Sequence, residues 1–222
     1  MEASGRRDSA RPRRRFERGS DEFTRVLAFS DALFAIAMTL LVVGLEVPDL
    51  SETESVGDLA DALYDDLGSF ISFLISFLVI GRYWAAHHGF CSRLAALDRG
   101  WIGLNLIYLL FIAFLPFPTG LLGNYFENPL SIAVYAVTVA LVSGMEVVLF
   151  RHAKRNRLLE RSIPEDVYRW GVRVSLSPVI FFALSIPLAF VSTTLAVASW
   201  LLAIPYQVVE GRSKPAHADD YL

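Results

Sequence analysis

Residues Arg25–Pro48 read RVLAFSDALFAIAMTLLVVGLEVP, and this stretch decides the fold class. At about 1.5 Å of rise per residue, a helix over Val26–Val47 is long enough to cross a hydrocarbon layer of about 30 Å. It is more than a plain anchor. Arg25, Ser30 and Asp31 stand at its start, and a single hydroxyl, Thr39, interrupts the apolar run that follows. At about 100° per residue, Leu40 falls about 40° to one side of Ile36 and Val43 about 20° to the other, with Thr39 at the margin of that stripe. Counting backwards, Phe29 and Arg25 join the same face, Asp31 lies nearly opposite, and Ser30 lies to one side. One face therefore requires a polar partner inside the protein. The other presents branched aliphatic side chains to something else.

The remainder of the chain reads the same way. Of 222 residues, 54% are hydrophobic, and the mean hydropathy is +0.45. Soluble domains are usually about 45–50% apolar, and here the apolar residues come in long runs, which is the signature of an integral membrane protein. A net charge of −3 says little, because the charges are segregated. Lys and Arg cluster in the N-terminal arm and helix entry, around Arg82–Arg99, along Arg151–Arg173, and at Arg212 and Lys214. The connection after the first helix instead carries Asp49, Glu52, Glu54, Asp58, Asp61, Asp65 and Asp66. By the positive-inside rule both termini are cytoplasmic, which requires an even number of crossings.

Six helices are expected in an all-α, polytopic membrane protein. They run from Val26 to Val47, ended by Pro48, and then over about Leu67–His88, Arg99–Leu122, Pro129–Phe150, Tyr168–Phe190 and Thr193–Val209. LPFP at Leu115–Pro118 should kink or end the third, and Pro164 is a natural helix start. Ser69, Ser72 and Ser76 form a small-residue stripe whose default role is close helix packing. Residues 1–20 read as a disordered, Arg-rich cytoplasmic arm suited to topology and anionic headgroups rather than to nucleic acid. Residues 21–210 form the membrane domain, and residues 211–222 a disordered cytoplasmic tail. The lone Cys91 excludes an internal disulfide.

Asp31 is expensive to place near a membrane without a partner. His87, His88, Asp98 and Asn105 lie at matching depth and are the candidates for a polar cluster fixing the first helix against the second and third. His titrates near neutral pH, so a gating or proton-sensing role for the cluster is the second reading. The residues at hand do not make a zinc set, and no cofactor is implied. Phosphate loops, nucleophile elbows, zincin motifs and CxxC pairs are absent, so the chain does not read as an enzyme.

Arg25, Phe29, Ser30 and Asp31 spell R-x-x-x-F-S-D, followed on the same helix by Thr39-Leu40-Leu41. With RYWAAHHGF at Arg82–Phe90 and DRGWIGLNLIYLLFIAFLPFPTGLLG at Asp98–Gly123, this resembles the transmembrane protein 175 family, the lysosomal potassium channels and their prokaryotic homologues. The resemblance implies a potassium-permeable channel in the plasma membrane of a prokaryote. It implies a homotetramer whose first helices line the pore, with Ile36, Leu40 and Val43 as a hydrophobic constriction and Thr39 as the pore hydroxyl. Potassium and other monovalent cations would pass without a resident metal. With no TVGYG loop in the chain, potassium preference should be modest. Two other readings stay open: a proton-coupled transporter using Asp31, His87 and His88, and a non-conducting membrane scaffold.

Overall fold

Apolar runs with few helix breakers fold here as a bundle of long helices, and the breakers decide where each ends. The computed structural model describes residues 15–49, 55–218 and 221. A short strand, β1 (Arg15–Glu17), leads into α1 (Asp21–Val43). There follow α2 (Val56–Asp65), α3 (Leu67–Cys91), strand β2 (Ala96–Asp98), α4 (Arg99–Phe114) and α5 (Pro116–Asn124). The chain continues through α6 (Pro129–Arg155), α7 (Glu165–Ala189), α8 (Thr193–Trp200) and α9 (Ala203–Arg212). Among the described residues, five helical segments are long and apolar enough to span a membrane: α1, α3, α4 with α5, α6 and α7.

The first helix differs from expectation at both ends. Ser20 caps it by accepting a hydrogen bond from the Phe23 amide, so it starts at Asp21. It stops at Val43, well before Pro48, with the Gly44 and Leu45 amides turned onto the Leu41 and Val42 carbonyls. Gly44 is a poor helix former, and Pro48 disfavours the helical conformation for Val47. Val47 therefore lies outside α1. The third expected helix breaks at Leu115, where Pro116 opens α5, as LPFP foretold.

The expected sixth helix is two pieces. Pro205 has no N–H for the Leu201 carbonyl, and its ring crowds that carbonyl. The Leu201 and Leu202 amides close instead on Ala198 and Ser199 in a tight turn. By contrast α7 runs straight through Pro178 and Pro187. The Val174 carbonyl, which Pro178 would leave unpaired, accepts from Ser177 Oγ at 2.8 Å. A neighbouring hydroxyl re-satisfying the backbone is the usual way a spanning helix tolerates proline.

The two ends expected to be disordered are partly folded. Residues 1–14 lie outside the described residues, but β1 pairs antiparallel with β2, with Phe16 opposite Leu97. Arg18 pairs with Glu160 and donates to the Ser92 carbonyl at 2.7 Å. Beyond α9 the chain folds back, so that Ala218 is buried with Phe150, Ile163 and Val167, and His217 meets Asp166 at 3.2 Å. Apolar residues in a polar-looking tail, Ala218 and Tyr221, supply that contact.

α6 is the central helix, packed on α4, α5, α7 and α8, while α1 packs on α3, α4 and α5 at the other side of the bundle. The serine stripe of α3 packs as expected. Ser69 and Ser72 face Gly123 of α5, where a Cβ would lie 2.8 Å from Ser72 Oγ and 2.9 Å from Ser69 Cα. Ser76 donates to the Tyr135 hydroxyl at 3.1 Å, which bridges α3 to α6.

Candidate functional site

The two faces of α1 part company in the fold. Phe34, Ala37 and Leu41 are buried against α3, α4 and α5 together with Ser30, whereas Ile36 is 57% exposed, Leu40 46% and Val43 74%. Phe29, Arg25 and Thr39 are exposed on that outer side as well. An outward row of branched aliphatic residues on a spanning helix has two possible neighbours, lipid or another protein surface. Thr39 Oγ1 donates to the Ile36 carbonyl at 2.9 Å. Its one proton is thereby used within the helix, and the oxygen lone pairs are left facing outward.

The buried face is locked by a polar relay across three helices. Asn105 Nδ2 of α4 donates to Ser30 Oγ of α1 at 2.9 Å, and Ser30 Oγ donates to the Val26 carbonyl at 3.0 Å. His87 Nε2 of α3 lies 2.8 Å from Asn105 Oδ1. Since that oxygen only accepts, His87 is the donor, with its proton on Nε2. The imidazole stacks on Tyr108 with centroids 5.3 Å apart and also meets Phe34. Ser30, Asn105 and His87 are all buried. The arrangement suits a fixed joint, because each amide and ring position has one role.

Asp31 is not in that relay. It sits beside it, lining a small cavity of about 220 Å³ together with Arg18, His87, His88 and Cys91. Its Oδ1 accepts from Trp84 Nε1 at 3.0 Å, and His88 Nδ1 is 3.9 Å away. The carboxylate is 46% exposed, so water shares in its solvation. Asp98, expected in the same cluster, belongs elsewhere. Its Oδ1 caps α4 by accepting from the Trp101 amide at 2.7 Å and meets His152 Nε2 of α6 at 2.9 Å. Gly100 makes room for that imidazole, since a Cβ there would stand 2.8 Å from His152 Cε1. Trp84 and His152 were missed from the sequence. Trp84 stands four residues before His88 on the same helical face, and that spacing was the available signal.

Comparison with known proteins then decides the family. The profile described as "Endosomal/lysosomal potassium channel TMEM175" matches residues 25–116. A potassium channel of Streptomyces collinus is 34% identical over 193 residues, covering 84% of this chain and 92% of that one. The chain belongs to the TMEM175 family. A potassium channel of Chamaesiphon minutus is 32% identical over 188 residues, covering 82% of this chain and 92% of the relative. The crystal structure of the TMEM175 homologue from Chamaesiphon minutus, described as a lysosomal potassium-selective channel homologue, superposes with a TM-score of 0.73 at 30% identity, covering 86% of this chain and 99% of that one. The human endosomal/lysosomal proton channel TMEM175 is 26% identical over 191 residues, and the match covers 37% of that protein. In this TMEM175-family chain the R-x-x-x-F-S-D residues fall into three environments. Ser30 is in the buried relay, Asp31 is at the half-exposed cavity, and Arg25 and Phe29 are on the outward face of α1.

Proposed function

We propose that the chain is one subunit of a potassium-permeable cation channel that conducts passively between the first helices of four identical copies. The observation that carries the reading is the division of α1. Its buried face is bonded to α3 and α4, and Ile36, Leu40 and Val43 are exposed on its outer face among the described residues. Four such ridges around an axis make a narrow aliphatic ring that excludes water when closed and conducts after a small rearrangement. Thr39 Oγ1 offers an oxygen beside the ring. Among the described residues these side chains lie on the outside of a single chain, and relatives that this chain nearly matches in length are named potassium channels. The asymmetry of Lys and Arg supports cytoplasmic termini in a prokaryotic plasma membrane. The same asymmetry makes the polar joint and the collar of β1, β2 and Glu160 cytoplasmic.

Proton-coupled transport through Asp31, His87 and His88 has less support. His87 donates to Asn105 and stacks on Tyr108, and among the described residues no hydrogen bond joins it to Asp31. Purified protein in liposomes buffered to the same pH on both sides should therefore release potassium down its gradient once a lipophilic cation is supplied to carry the compensating charge inward. Release that requires a proton gradient would replace the channel with a transporter. Liposomes that retain their potassium would leave a scaffold.

A further inference from the structure

α3 leans on α1 and α5, whereas α7 and α8 lean on α6. The two halves diverge and leave a wedge between α3 and α7–α8. The wedge is a cleft of about 510 Å³, walled by Ile75 of α3, Val139 of α6, and Phe182 and Trp200 of α7 and α8. The break at Leu201–Leu202, imposed by Pro205, shapes its lower wall, where Leu201 and Ala203 face it. One end of this apolar cleft is polar. Arg82 reaches it from α3 and Gln207 from α9, with Arg82 Nε donating to Gln207 Oε1 at 3.4 Å. Arg82 Nη1 is buried and has no hydrogen-bond partner. Glu146 of α6 acts on Arg82 electrostatically, yet among the described residues no ion pair joins them. Trp200 Nε1, in the cleft wall, is a second buried donor without an acceptor.

A guanidinium at membrane depth requires an anionic or carbonyl partner. A planar fork of donors matches a phosphate particularly well. The rest of the cleft is lined mostly by apolar side chains and is of a size that holds a ligand. It lies on the α7–α9 side of the bundle, away from the outward face of α1. We infer that the cleft between α3 and α7–α8 binds an anionic phospholipid, with one acyl chain along Ile75, Val139 and Phe182 and the headgroup phosphate on Arg82. Under the orientation proposed above, the lipid comes from the inner leaflet. This site is separate from the pore, and its occupancy is read without any measurement of conduction.

The test uses the full chain purified in mild detergent and offered phosphatidylglycerol or phosphatidylcholine with the same acyl chains. Retained lipid is counted by native mass spectrometry. The wild type should retain several-fold more phosphatidylglycerol than phosphatidylcholine. Arg82→Gln should abolish that preference, and Ala198→Trp, which fills the cleft while leaving Arg82 in place, should lower retention of both lipids. Equal retention of the two lipids by the wild type would overturn the assignment, as would a phosphatidylglycerol preference that survives Ala198→Trp. If Arg82→Gln does not fold, Ala198→Trp decides alone. A change in the number of associated chains on Ala198→Trp would make the occupant a second copy and would also overturn it.

Discussion

Asn105 does at one position what the expected polar cluster was meant to do with four. Its amide gives a hydrogen to Ser30 and takes one from His87, joining α1, α4 and α3. Asn105→Leu leaves the His87 Nε2 proton buried without an acceptor, which should cost about 1–3 kcal/mol. The check is the thermal unfolding midpoint in detergent, and an unchanged midpoint would show that the relay does not hold the helices. Asp31 should behave differently. Asp31→Asn keeps an oxygen for Trp84 Nε1 at a position that is already half-exposed, so recovery of assembled protein should equal that of the wild type. Loss of assembly would return Asp31 to a structural role. The sequence requires partners for Asp31, because a charged group at that depth must be satisfied. It does not show which partners. An indole such as Trp84 passes for an interfacial aromatic, and His152 meets Asp98 across 54 residues that only the fold brings together.

At the scale of elements, the helices were legible because long apolar runs bounded by breakers have few alternatives in lipid. Close helix approach was legible too, in the spacing of Ser69, Ser72 and Ser76. Its counterpart is Gly123, and Gly123→Leu must push α5 off α3, since even a Cβ would contact the Ser69 backbone. Such overpacking typically costs about 1–3 kcal/mol. A midpoint within error of the wild type would mean that the two helices are free to separate. The β1–β2 pair was not legible. Three residues on each side carry no alternation signal, and the strands exist because the chain entering α1 passes the α3–α4 connection. The split of the last segment into α8 and α9 was half legible. Pro205 was visible, but its effect falls four residues earlier, at Leu201.

For the whole molecule, function depends on what covers the outer face of α1. The subunit places its buried polar joint on one side of that helix and its aliphatic ridge on the other. A helical wheel drawn from sequence separates those sides but does not say what lies beyond the ridge. Family membership and the exposure of the ridge in the folded subunit supply the argument for a shared axis. Native mass spectrometry of the detergent-solubilised protein should give the mass of four chains, and a stable monomer at working concentration would remove the pore as drawn. Most direct is a test of whether water and ions reach the ridge. Val43→Cys, recorded in planar bilayers, should lose most of its current on exposure to a positively charged thiol reagent added from water. The wild type should not respond, since Cys91 is buried. Current unchanged in Val43→Cys, together with labelling of that residue by a lipid-soluble reagent alone, would place the ridge in the bilayer and contradict the account.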